Sequence, residues 1–246
     1  MGAPPIAQTP RRRQRSLGWP AGAVVAGLIA AWQAPAHAAL TCEAAPPARI
    51  TVEAVPPAPT IDSSLDLATL KQRSAGNILH GELGQPLGVT VTQVVGSFEE
   101  VLDFAIDPRA PTPTVCGAAR EVRVRVGFEP TVIYIAREVT RDRCLYDQVL
   151  QHENRHILVD REVLALFAPR IEATMRTLTA RTGVVRGASR EAVWGAIRER
   201  LRAQLDADLR ALMQEMRKRQ QIVDRPEEYR RLSASCGGVV RRLLAG

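Results

Sequence analysis

Aromatic residues are scarce in this 246-residue chain, at 4% of the sequence, and so are histidine, with four, and lysine, with two. The first scarcity excludes the aromatic platforms on which single-stranded nucleic acids stack, and it leaves the core to Val, Leu, Ile and Ala. The four cysteines form no CxxC-type pair, which argues against a thiolate zinc site. Acidic residues are missing before Glu43, so the formal charge of +7 owes much to Arg11, Arg12, Arg13 and Arg15. Without these four, 29 basic residues face 26 acidic ones. Such a balanced surface is not that of a phosphate-backbone binder, and no nucleic-acid partner is expected. A long apolar run is absent too: the stretch from Leu17 to Trp32 contains Pro20 and several glycines and falls short of the roughly 20 residues that span a bilayer. No stable membrane anchor is expected. What remains, 46% hydrophobic and 24% charged, is the composition of an ordinary globular protein.

Residues 1–38 read as a signal peptide, with the basic cluster Arg11 to Arg15, the apolar stretch, and Ala36-His37-Ala38 at the cleavage zone. A periplasmic or secreted protein follows. Gln14 and Arg15 stand where the twin-arginine route wants an apolar pair, and the sequence does not choose between export routes. Cys42, Cys116, Cys144 and Cys236 all lie in the exported part, an even number that predicts two disulfides in an oxidising compartment. Of the three connectivities, Cys116 with Cys144 is preferred because the two bracket a β-hairpin, and Cys42 then pairs with Cys236.

Residues 39–60 form a Pro/Ala-rich mature N-terminus with one short strand, Ile50 to Val55, and residues 61–246 an α+β domain. Within it a short helix is predicted around Ser64 to Arg73, capped by Asp62 or Ser63, and a strand over Val89 to Val95. Glu121 to Gly127 alternates valine with charge, and Thr131 to Arg137 follows the turn-like Gly127-Phe128-Glu129-Pro130, which predicts a hairpin. Two long helices are predicted over Tyr146–Thr182 and Ser189–Ile222, with a bend near Pro169. The fold class is therefore α+β, a small antiparallel sheet followed by a long antiparallel helical hairpin.

His152-Glu153-Asn154-Arg155-His156 lies one turn or more into the first long helix and matches HExxH. The i, i+4 spacing puts both imidazoles on one face, about 6 Å apart along the axis, where one Zn²⁺ can be gripped between them. Zinc lowers the pKa of its water toward about 7, and Glu153 is carried beside it as the general base that takes the proton and later delivers it to the leaving amine. The pair shares its face with Val149, Val163 and Phe167, the face a hairpin buries. Arg155 is unusual, because the two inner positions of such motifs are commonly uncharged.

Val149-Leu150-Gln151-His152-Glu153-Asn154-Arg155-His156-Ile157 resembles the active helix of zincin metallopeptidases. The wider arrangement, from roughly Pro113 to Cys236, is similar to a bacterial family of unknown function described as secreted zinc-dependent proteases. The resemblance implies an enzyme that hydrolyses a peptide or protein substrate with a zinc-bound water. It also implies a substrate lying along an edge strand above the active helix, for which Thr131 to Arg137 is the candidate. The competing class is a non-catalytic, disulfide-braced envelope interaction protein whose HExxH is structural or degenerate.

HExxH supplies two ligands, so a third must come from elsewhere. Asp160, one turn beyond His156, stands about 12 Å along the axis from His152, too far on a straight helix to share one ion. If the hairpin turns near Val185 and Arg186, residues whose numbers sum to about 371 lie side by side, and His156 faces Glu215. Glu215 is thus the expected third ligand, with Asp224, Asp208 and His80 as alternates. The stretch Asp224-Arg225-Pro226-Glu227-Glu228-Tyr229 could lie near the metal, but it reads mainly as a helix stop, turn and restart. Tyr134, Tyr146 and Tyr229 are candidate oxyanion donors among which the sequence does not choose.

Overall fold

The computed structural model describes residues 39–74 and 86–245. Residues 1–38, read above as a signal peptide, and the alternate ligand His80 lie outside the described residues. Strand β1 (Arg49–Val55) is followed by β2 (Pro59–Asp62), helix α1 (Leu67–Ser74), and the two long strands β3 (Gly88–Ile106) and β4 (Val115–Ile135). Helix α2 (Arg143–Thr182), the short strand β5 (Val185–Gly187) and helix α3 (Arg190–Val223) come next, and α4 (Pro226–Ala234) and α5 (Val239–Ala245) close the order.

Strand β4 organises the sheet. Val122, Val124, Val126 and Phe128 alternate onto one face and are buried to within 1%, while Glu121, Arg123 and Arg125 alternate onto the other and pair with Arg49, Glu99, Glu53 and Glu129. The period-2 pattern is that of a strand with one wet face. Helices α2 and α3 cover the apolar face with Val163, Phe167, Ile171, Val193, Leu201 and Leu212. A second apolar cluster, around Ile133, Ile135, Leu145, Val149 and Leu70, lies where the end of β4 meets the start of α2.

The α+β class holds, but the sheet is mixed rather than antiparallel. β1 and β2 pair parallel with successive halves of β4, and only β3 and β5 run antiparallel to it. The hairpin expected at Gly127–Pro130 is absent: the chain runs straight through, and one 21-residue strand replaces two short ones. Pro130 has no N–H to give to a ladder, and it falls where the register shifts between Thr92 and Val94. The turn-like residues thus mark a bulge. β3 takes the place of the missing return strand, and β1 and β2, both from the N-terminal segment, are integral to the sheet.

The same straightening overturns the cysteine pairing. Cys116 stands at the start of β4 and Cys144 beyond its far end, with a strand of about 60 Å at 3.3 Å per residue between them. The bonds are Cys42–Cys116 and Cys144–Cys236. The first is buried against the sheet; Cys144 of the second is exposed.

Both long helices begin at side-chain caps. Asp142 accepts from Leu145 N at 2.9 Å and Ser189 accepts from Ala192 N at 3.2 Å. Helix α1 starts later than expected because Asp66, rather than Asp62 or Ser63, caps it through Thr69 N at 2.8 Å. α2 runs on through Pro169 to Thr182. α3 ends at Val223 for a local reason: Pro226 cannot continue a helix and holds the preceding Arg225 extended, at φ −68° and ψ 149°. Among the described residues no helix is long and apolar enough to cross a membrane.

Helix α4 buries only Leu232, so the bond from Cys144 to Cys236 is a main tie between it and α2. The variant Cys144→Ala/Cys236→Ala is expected to lose about 2–4 kcal/mol of stability, read from denaturant unfolding. Non-reducing peptide mapping should return the Cys42–Cys116 and Cys144–Cys236 links.

Candidate metal centre

The phase of α2 set by its Asp142 cap turns residues 152, 153 and 156 toward the protein interior. His152, Glu153 and His156 are 4%, 3% and 9% exposed. The break in α3 supplies their partner. Asp224, the residue at which the helix stops, is 4% exposed and points at the imidazole pair. His152 Nε2 and His156 Nε2 are 3.3 Å apart, and Asp224 Oδ1 lies 3.4 Å from the first and 3.2 Å from the second.

That triangle has the dimensions of one face of a zinc tetrahedron. With ligand bonds of about 2.05 Å, tetrahedral angles separate the donor atoms by about 3.3 Å, whereas right angles would bring them to about 2.9 Å. His152, His156 and Asp224 fit the ion without rearrangement, and three protein donors leave a fourth position open. Two other groupings of metal-binding residue types each include a disulfide-bonded cysteine pair and offer no thiolate.

Electrostatics favour a cation here. Burial disfavours a proton on His156, but the hydrogen bonds to Asp224 and Gln220 and the negative charge of Glu153 outweigh it, pushing its pKa up to about 9. Groups that favour a proton at this point also favour a divalent ion. Tyr229, five residues beyond Asp224, donates from its hydroxyl to Asp224 Oδ1 at 3.2 Å. Burial, then the nearby Asp224, Glu153 and Glu228, raise its pKa, so the phenol keeps its proton.

Glu153 faces the sheet. Thr90 Oγ1 of β3 donates to its Oε2 at 2.8 Å. A Cβ at Gly88 would stand 2.7 Å from its Oε1, so only glycine lets the carboxylate lie against the strand. Beside it opens a cleft of about 180 Å³, bounded by Glu153, His156 and Asp224 and by Val89, Thr92 and Met216.

Arg155 finds its reason in α4. Its Nη1 lies 2.7 Å from Glu228 Oε1, and Arg231 binds the same carboxylate through Nη2 and Nε at 2.7 and 2.9 Å. Hydrogen bonds from Arg231 first, then Arg155, hold Glu228 down at about 2 against the cost of partial burial. The resulting carboxylate stands 3.4 Å from His152 Nδ1.

Of the residues read from sequence, His152, Glu153, His156, Asp224 and Tyr229 come together. Glu215 does not: its carboxylate is bound by Arg219 Nε at 2.7 Å, and it is not among the donors that gather at the triangle. The hairpin is no compact turn, because Val185–Gly187 forms a strand on β4 before α3 starts, and His156 meets Gln220 instead. Asp208 lies farther along, bound by Thr174 Oγ1 at 2.7 Å. Tyr134 lies under the Arg73 guanidinium and Tyr146 packs in the second core cluster. Thr131–Ile135 is a central strand between β2 and β3, not an edge. Gln220, Thr90 and Gly88 are not singled out by the sequence, and Glu228 only as part of the stretch Asp224 to Tyr229. No protein-family model matches the chain, and no curated protein or solved structure matches it significantly.

Asp224→Ala should weaken zinc binding by at least about 100-fold, as expected for a lost ligand, while Glu215→Ala should change it less than about twofold. Competition with a chromophoric chelator measures both.

Proposed function

We propose that this chain is an exported zinc-dependent metallopeptidase, in which His152, His156 and Asp224 hold one Zn²⁺ and Glu153 is the general base. The observation that carries the reading is the triangle of donor atoms, with edges of 3.2 to 3.4 Å, buried beside a carboxylate that is not part of it. Zinc, when bound, supplies a Lewis acid that acidifies water and polarises a carbonyl.

The remaining steps belong to the chain. Glu153 accepts a proton from the attacking water and returns it to the leaving amine. Thr90 fixes one of its oxygens, so that the other is the one left to move the proton. Tyr229, held neutral, donates its one hydroxyl hydrogen to Asp224 before substrate binds and would turn that hydrogen to the oxyanion that develops on the substrate carbonyl. Among the described residues β3 pairs only with β4. Its other edge, at Thr90 and Thr92 beside Glu153, suits the addition of an extended peptide as a further strand. β3 thus takes the role first assigned to Thr131–Arg137. The two disulfides support a periplasmic or secreted setting.

The test is metal analysis after purification from an oxidising compartment, followed by peptide hydrolysis. Stoichiometric zinc and a peptidase activity lost in Glu153→Gln, with zinc retained, are the expected results. Metal-free protein of unchanged stability would favour the interaction-protein reading instead. Gly88→Ala should lower kcat about 100-fold at unchanged zinc content, because its Cβ displaces the base by about 1 Å. Tyr229→Phe should cost about 10²- to 10³-fold in kcat.

A further inference from the structure

Asp160 lies within the centre but takes no part in the triangle. It is 1% exposed, and its Oδ1 accepts from Gln220 Nε2 at 2.7 Å. Gln220 Nε2 donates in addition to the backbone carbonyl of His156 at 3.1 Å, and Gln220 Oε1 lies 2.5 Å from His156 Nδ1.

These contacts fix the polarity of every group. A carboxylate and a carbonyl only accept, so the amide must turn its NH₂ toward Asp160 and His156 O. Its oxygen is then the atom facing His156 Nδ1, and an oxygen can only accept there. Nδ1 therefore carries the hydrogen, and Nε2, the atom in the triangle, keeps its lone pair for a metal.

We propose that Gln220 and Asp160 are positioning residues: Asp160 orients the Gln220 amide, and the amide locks His156 in the tautomer and ring orientation that bind metal. The proposal rests on the zinc reading above. It gives Asp160, whose distance along α2 bars it from sharing the ion with His152, a different part in the same centre. His152 lacks such a relay, since its Nδ1 faces the Glu228 carboxylate at 3.4 Å without forming a hydrogen bond.

Polarity makes the test specific. Gln220→Glu preserves shape but sets a second carboxylate against the buried Asp160, a pair that must either repel or take up a proton the amide did not need. Zinc affinity should fall about 10- to 100-fold, the usual effect of losing such an outer partner. Asp160→Asn alone should cost less than about threefold, because the amide oxygen still accepts from Gln220. In the double variant Gln220→Glu/Asp160→Asn the two groups exchange roles. The amide now on α2 donates to the carboxylate now on α3, and that carboxylate accepts from His156 Nδ1, so affinity should return to within about threefold of the starting protein. Gln220→Met cannot accept from Nδ1 and should lose as much as Gln220→Glu, with no rescue by Asp160→Asn. Chelator competition on the full chain reads every variant, with thermal unfolding run in parallel to confirm folding. A starting protein that binds no zinc overturns the zinc reading and this inference together. Zinc binding that is unchanged in Gln220→Glu, or a double variant no better than the single, overturns the inference alone.

Discussion

Two imidazole nitrogens 3.3 Å apart in a buried site constrain each other. If both carry hydrogens they repel, and if both present lone pairs they repel again; one shared hydrogen or one cation has to lie between them, and the Asp224 carboxylate facing both favours either. Of the polar and charged residues buried as a whole among the described residues, all but Thr131 belong to this one cluster, and elsewhere Glu100 buries its side chain under Arg198. Burying so many ionisable groups is costly unless they satisfy one another. The fold otherwise keeps its charges on the wet face of the sheet and the outer faces of the helices. The cluster is a concentrated exception, and local violations of that kind are where function is found.

The rest of the architecture holds the members of that cluster in place. α2 presents the histidines because its cap and its apolar stripe fix which face turns inward. β3 brings Gly88 and Thr90 under Glu153, and it does so only because β4 continues through Pro130 instead of turning back. α3 must stop within a residue or two of Asp224, and Pro226 makes it stop. Buried apolar contact holds the long helices to the sheet, whereas α4 is mostly polar and is held by ions, by Leu232 and by a disulfide. An ion pair from Arg198 to Glu100, at 2.6 Å and with Glu100 2% exposed, ties α3 to β3 farther along.

The long helices are legible in the sequence almost to the residue, because periodicity and caps are local properties. HExxH is legible for the same reason. The sheet is not. Gly127-Phe128-Glu129-Pro130 has the composition of a turn, and only the partner strand, set by residues distant in sequence, shows that it forms a bulge. That single misreading carries the cysteine pairing and the edge strand with it. The third member of the triangle ranks only as an alternate through register: equal rise along two straight antiparallel helices points to Glu215, but the β5 insertion displaces α3, and the carboxylate that faces the histidines, Asp224, sits at a helix break. In the sequence Asp224 reads chiefly as punctuation. A helix stop made by proline and flanked by Asp, Glu and Tyr carries more chemistry than a stop requires, and that surplus is the available signal. Gln220 carries no signal, since an amide in a polar helix looks like every other surface glutamine.

His152, His156, Asp224, Glu228 and Tyr229 all lie in the stretch between Cys144 and Cys236, whose separation is 92 residues. The reduced chain would offer an arriving zinc ion four thiolates, softer and stronger donors than an aspartate oxygen. Oxidation withdraws all four, since no free cysteine remains. If the centre holds zinc as proposed, closing both disulfides before the metal arrives leaves the ion no cysteine thiolate to compete with the histidines and Asp224.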